Sequence, residues 1–153
     1  MKISSRFTVA VHCLLFISCS DEKITSEKLA ASVNTNPVVI RKVLGKLKKA
    51  GLIEVYSGTG GAALLKPASS ITLLDIFHAA DVVDDNQLFS LHDPNLECAV
   101  GKEVLPLLSN PLKTAQQALE SSLEKTTLAD LLDQLNRKPV RSVSRSSIST
   151  VLL

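Results

Sequence analysis

A chain of 153 residues with 45% hydrophobic side chains has material for one core and little for a second. With no Trp, one Tyr and four Phe, that core must be aliphatic, and no aromatic platform is available for stacking single-stranded bases. The net charge of +2 is unevenly spread: residues 1–67 carry ten Lys or Arg against four acids, residues 68–136 carry three against eleven, and residues 137–153 carry four against none. The first block is a cationic module suited to phosphate, whereas the second must face away from DNA or toward a partner.

Along the chain, Ile3, Phe7, Ala10, Leu14 and Ile17 form an apolar stripe that predicts a first helix over residues 4–19, broken by the polar run Ser20-Asp21-Glu22-Lys23. That periodicity, and the lack of a cleavage site, argue against a signal peptide. Thr25 or Ser26 can cap a second helix through Val33, with Leu29, Ala30 and Val33 inward and Glu27 near the positive end of the helix dipole.

The turn Asn34-Thr35-Asn36 leads into Pro37, whose fixed φ suits a first helical position with Asn36 as N-cap. Ile40, Val43, Leu44 and Leu47 then face the core, leaving Val38, Arg41, Lys42, Lys46, Lys48 and Lys49 on the solvent side until Gly51 ends the helix. An extended segment from Leu52 to Tyr56, a tip at Ser57, Gly58, Thr59, Gly60 and Gly61, and a return strand from Ala62 to Lys66 complete a wing. Helix, turn, basic helix and hairpin in this order read as a winged helix-turn-helix, which offers its recognition helix to a major groove. Thr35, Asn36, Pro37, Val38, Arg41 and Lys42 are the expected groove residues, and Lys46, Lys48, Lys49 and the wing tip the expected phosphate contacts.

After Pro67, Thr72-Leu73-Leu74-Asp75 has capping-box form and opens a fourth helix carrying Ile76, Phe77 and Ala80, which closes a DNA-binding domain over residues 1–80. Residues 81–98 read as a linker loop. Helical character returns over residues 99–136, where Pro106 and Pro111 are expected to kink or divide it and Asn110 is placed to cap a new start. Leu112, Ala115, Leu119 and Leu123 form an apolar seam that predicts a homodimer interface, with packing inside the monomer as the alternative. Thr127-x-x-Asp130 opens a last helix bearing Leu128, Leu131, Leu132 and Leu135, and residues 137–153 read as a disordered basic, Ser-rich tail. The expected fold class is mainly α with a small β-wing, a winged helix-turn-helix plus C-terminal dimerisation helices.

The run from Asn36 to Leu44, then residues 47–53, then Gly58-Thr59-Gly60-Gly61, then residues 71–76, resembles the Rrf2 family of bacterial transcriptional regulators over roughly residues 1–136. The resemblance implies a homodimeric winged-helix repressor or activator on a dyad-symmetric operator, with the long helix after the wing as the dimerisation element. Relatives that hold an iron-sulfur cluster carry three closely spaced cysteines before that helix. This chain has only Cys98 there, in Cys98-Ala99-Val100-Gly101, and so resembles a cluster-free, single-cysteine subgroup. It also has Ser57 where many relatives place Arg before the glycines, and Ala63 where an aromatic often follows them. The wing is therefore expected to touch phosphate rather than insert Arg into a minor groove.

No iron-sulfur cluster, metal or other cofactor is expected: His12, His78 and His92 lack metal-ligand spacing. Cys98, at or just before a helix start, is the sensor candidate for a thiol-redox or electrophile signal, or else an inert cysteine; Cys13 and Cys19 sit inside the first helix as small apolar groups. No residue pattern specifies a signal ligand. The absence of any apolar run near the roughly 20 residues that cross a bilayer, with three widely spaced cysteines, points to a cytoplasmic protein with no membrane partner. The function expected is a DNA-binding regulator of double-stranded DNA, a repressor and not an enzyme. The alternative is a protein-interaction module that uses the winged-helix surface on another protein.

Overall fold

The computed structural model describes residues 4–58, 61–80 and 88–137. In chain order they form α1 (Arg6–Cys19), α2 (Ser26–Val33), α3 (Pro37–Lys49), strands β1 (Ile53–Tyr56) and β2 (Gly61–Leu64), a short 3-10 turn (Ala68–Ser70), α4 (Leu73–Ala79), α5 (Ala99–Glu124) and α6 (Leu128–Arg137). The molecule is mainly helical with a two-stranded wing, as the sequence pattern predicts.

Local chemistry sets the helix ends. Thr25 Oγ1 accepts from the Lys28 amide and opens α2. Asn34 ends that helix in the left-handed region at φ 58°, a conformation Asn tolerates better than most residues. Two residues later Asn36 Oδ1 accepts from the Val38 amide at 2.8 Å, with Pro37 in the first turn of α3. Three residues thus separate α2 from α3. At the far end Ala50 caps α3, and Gly51 turns the chain toward β1 at φ 73°.

β1 and β2 pair antiparallel, Ile53 with Leu64 through Tyr56 with Gly61. The return strand is shorter than expected, ending at Leu64, and Gly61 is its first residue rather than part of a free tip. A further bridge joins Ala62 to Ile24, so the segment between α1 and α2 fastens the wing to the helical bundle. Thr59 and Gly60 lie outside the described residues.

One aliphatic core holds these elements together. Leu14, Leu29, Ile40, Leu47, Ile53, Ile71, Ile76 and Leu128 are fully buried, and each contributes about 1.5–3 kcal/mol by leaving water. Phe7 of α1 meets Phe77 of α4 edge to face at 5.6 Å. Leu128 belongs to this core although it opens α6. The Leu73 amide donates to Thr126 O, the Leu128 amide donates to Ile71 O, and Thr72 and Thr127 form an isolated bridge. Each threonine also shares a reciprocal cap with its aspartate, Thr72 with Asp75 and Thr127 with Asp130. The last helix is therefore stitched to the bundle of the first four helices and shares its core.

α5 is not divided at its prolines. It runs undivided for 26 residues with Pro106 and Pro111 inside it, so Asn110 caps no new helix. Each proline removes an amide donor and frees the carbonyl four residues before it. Those carbonyls belong to Lys102 and Leu107, both exposed residues, so water can satisfy them and the helix continues. No residue of α5 is buried. Residues 81–87 and 138–153, which include the first seven residues of the predicted linker and all but the first residue of the basic tail, lie outside the described residues.

Candidate nucleic-acid interface

α3 offers one continuous outer face. Val38, Arg41, Lys42, Gly45, Lys48 and Lys49 are exposed, while Ile40, Val43, Leu44 and Leu47 on the opposite side are buried. Thirteen residues at 1.5 Å rise make this face about 20 Å long, enough to lie in a major groove. Three of the expected contacts on and before this helix sit less openly than the helical pattern implies, since Thr35, Pro37 and Lys46 are half-buried. The sequence reading passed over two exposed neighbours. Val39 is 39% exposed beside Val38 at 50%, so the N-terminal end of the helix carries apolar surface, and Gly45 leaves a bare stretch of backbone on the same face. Exposed valines at the start of an otherwise cationic helix were the available signal.

The wing stands beside this face, with Ser57 and Gly58 exposed. Gly58 has a φ of 72° and open space around its Cα, as a hairpin turn requires. Gly61 has the same φ but a different reason for being glycine. A Cβ there would stand 2.6 Å from the Ile24 nitrogen and 2.8 Å from its oxygen. Close packing against the Ile24 backbone therefore requires glycine at this position of the wing. Tyr56, also exposed and absent from the predicted set, donates its hydroxyl to the Glu54 carboxylate, and this bond pushes the phenol pKa up.

Arg41 is not free in solvent. Its Nη2 donates to Glu27 Oε1 at 2.7 Å, joining α3 to the first turn of α2. Glu27 stays ionised below the usual carboxylate range, held there first by a backbone hydrogen bond and then by Arg41 and Ser26.

Cys98 is the N-cap of α5 and is exposed. The backbone N–H groups of Gly101 and Val100 point at the sulfur and lower its pKa, so thiolate forms more readily than in a free cysteine. The preceding turn is pinned to the helix. Asn95 accepts at Oδ1 from Glu97 and at its carbonyl from Cys98, and that carbonyl lies 2.1 Å from where a Cβ on Gly101 would fall. Cys13 is the opposite case, buried in α1 with its thiol pushed up to about 12 by desolvation. Cys19 is exposed at the end of α1 and its thiol is raised by partial burial.

The predicted seam residues Leu112, Leu119 and Leu123 are half-buried and Ala115 is exposed, on a helix that packs mainly against α4. Toward its start α5 is apolar on several sides, with Leu108 extending the seam and Val100 and Leu107 exposed at 74% and 72%. No described helix is long and apolar enough to cross a membrane.

A family model, Rrf2, described as an iron-dependent transcriptional regulator, matches residues 3–134. Among the described residues no group of three or more His, Cys, Asp or Glu comes together that could hold a metal ion. A Bacillus subtilis protein named as the HTH-type transcriptional regulator YwnA is 41% identical over 134 residues, which is 87% of this chain and 98% of that one. A crystal structure of a DNA-binding protein superposes with a TM-score of 0.71 at 38% identity, covering 84% of this chain and 99% of the other. The oxidised form of CymR from Staphylococcus aureus shares the fold, with a TM-score of 0.64 at 22% identity over 86% of this chain and 96% of its own. The family model and the name of the Bacillus subtilis relative both describe transcriptional regulators rather than enzymes, and the chain belongs to the Rrf2 family of transcriptional regulators.

Proposed function

We propose that the chain is a homodimeric repressor that reads a dyad-symmetric operator in double-stranded DNA and is released from it by oxidation or alkylation of Cys98. The observation that carries this is the pairing of two surfaces on one molecule. The exposed stripe Val38, Arg41, Lys42, Lys48 and Lys49 has apolar and cationic groups where a groove would meet them, with Thr35, Asn36, Pro37 and Lys46 beside it. Meanwhile α5 carries a row of half-buried leucines that no described residue buries fully, the arrangement expected of a helix awaiting a second copy. Two copies related by a two-fold axis would present two α3 helices to successive turns of the duplex, whose half-sites then lie about 34–36 Å apart. Cys98 at the start of that same helix supports the switch, since charge or bulk added there bears on the element that sets the spacing.

The test is selection of bound duplexes from random DNA by the reduced protein, and again after mild oxidant, with molar mass measured by light scattering. A dyad-symmetric motif, a dimer mass, and loss of the motif on oxidation in wild type but not in Cys98→Ser are expected. Leu119→Glu should yield folded monomer, because α5 contributes no buried residue to the core. Oxidant-indifferent binding would remove Cys98 from the mechanism. Binding with no motif and no salt dependence would instead favour a protein-interaction module, because phosphate contacts impose a steep salt slope.

A further inference from the structure

Among the basic residues on the outer face of α3, Arg41 has its guanidinium anchored to a carboxylate of another helix. Glu27 is fourteen residues away in sequence and lies in the first turn of α2. Its Oε1 accepts a hydrogen bond from Arg41 Nη2 at 2.7 Å, while Oε2 accepts from the Ser26 hydroxyl at 3.2 Å. Both ends of the pair remain open, Arg41 at 59% and Glu27 at 62% of side-chain surface. A guanidinium carries five N–H donors in a planar fork, so one bond to Glu27 leaves donors for another acceptor.

We propose that Glu27 is a positioning residue for DNA reading: it holds Arg41 against α2 so that the remaining edge of the guanidinium meets a base in the major groove. This rests on the DNA-reading function proposed above. Glu27 itself touches no base. An unrestrained arginine must lose side-chain freedom when it binds, whereas a tethered one has lost part of it already. Ionisation of Glu27 is secured by its backbone bond and by Arg41, so the tether persists at neutral pH.

The proposal is sharp because elementary electrostatics predicts the opposite sign. An acid on a DNA-facing surface repels phosphate, and removing it should tighten binding to every duplex. A positioning acid does two things at once: its loss tightens binding to random DNA and weakens binding to the operator.

The experiment measures affinities of the full chain for the selected operator and for a random duplex of equal length, at one fixed salt concentration. Wild type, Glu27→Ala, Glu27→Gln, Arg41→Ala and the Glu27→Ala/Arg41→Ala pair are compared. Both Glu27 variants should bind random duplex about twofold to threefold more tightly, since each loses one like charge. Glu27→Ala should weaken operator binding about fivefold through the returned ordering cost. Glu27→Gln, which keeps an acceptor for Arg41, should retain more of the discrimination. In the Arg41→Ala background, Glu27→Ala should no longer weaken operator binding.

Equal tightening on both duplexes would overturn the proposal and leave Glu27 as a phosphate-repelling charge. Independence of the two substitutions in the double variant would overturn it as well. Failure of wild type to discriminate the selected motif from random duplex would overturn the DNA-reading function itself. That outcome shows in wild type alone, so it is distinguishable from failure of Glu27's role.

Discussion

Gly58 and Gly61 share a φ of 72° but differ in surroundings, so alanine at each position separates backbone strain from collision. At Gly58 nothing lies within 4 Å of a built Cβ, and Gly58→Ala bears only the left-handed conformation, about 1–2 kcal/mol. At Gly61 the same cost applies, and the new methyl also meets Ile24 N at 2.6 Å, Ile24 O at 2.8 Å and Lys23 C at 3.0 Å. These are backbone atoms and cannot swing aside as a flexible side chain would. Either the methyl is accommodated as an overpacked contact at about 1–3 kcal/mol, or the Ile24–Ala62 bridge opens and forfeits about 0.5–1.5 kcal/mol of hydrogen bonding. Gly61→Ala is therefore expected to cost about 1.5–5 kcal/mol in total, against about 1–2 kcal/mol for Gly58→Ala. Urea denaturation followed by circular dichroism resolves the difference, which at a slope of about 1–3 kcal/mol/M moves the midpoint by about 1 M. Equal midpoints for the two variants would refute the claim that the segment between α1 and α2 braces the wing.

Gly45 sits inside α3 with open space around it, so Gly45→Ala should stabilise the fold by about 0.5–1 kcal/mol in the same denaturation assay. If the bare backbone there approaches DNA, operator affinity should fall in that stabilised variant, a combination that a misfolded protein could not produce. The exposed methyls of Val38 and Val39 should contact thymine methyl groups. Replacing one thymine per half-site by deoxyuridine should then weaken wild-type binding about threefold or more and leave Val38→Ser indifferent; no sensitive thymine would refute it. Asp130 has its carboxyl held below the ordinary range by the Thr127 amide and then the Thr127 hydroxyl. A depressed folded-state pKa means stabilisation present above the unfolded value of about 3.9 and lost as pH falls through the lower folded value. Asp130→Asn should accordingly be less stable than wild type at neutral pH, with the two curves converging in acid; a constant gap across that window would place the effect elsewhere.

What the sequence made legible was whatever depends on neighbours in the chain. The N-caps at Thr25, Asn36 and Thr72, the paired Thr127 and Asp130, and the buried face Ile40, Val43, Leu44 and Leu47 all arise from residues a few positions apart. What escaped depends on distant segments meeting. Gly61 reads as a hairpin glycine until Ile24 is seen against it, and Leu128 reads as part of a separate module until Ile71 accepts from its amide. Pro106 and Pro111 misled for the complementary reason. A proline's cost inside a helix depends on whether its freed carbonyl is buried, which spacing alone does not reveal. In the proposed interface the basic residues were read from their pattern, but the Arg41–Glu27 pair was not. In the sequence Glu27 reads as an acid suited to the dipole of its own helix, and spacing along the chain carries no sign of its bond to α3.

The same pair bears on how the charge of the chain is organised. Residues 1–67 form the cationic half, yet they retain four acids, which would weaken phosphate attraction if they served only as charge. Three of them are spent on basic or phenolic partners. Glu22 meets Lys28 at 3.5 Å, Glu27 meets Arg41, and Glu54 accepts from Tyr56. Two of those partners, Arg41 and Tyr56, stand on the exposed recognition helix and wing. Exposed ion pairs add little to stability, commonly under about 1 kcal/mol, so folding alone gives weak reason to keep acids where DNA would lie. Fixing the direction of groups meant to meet DNA gives a stronger one. On this account the cationic half trades some general attraction for orientation, and specificity in the proposed complex depends on which cations are tethered as much as on how many there are.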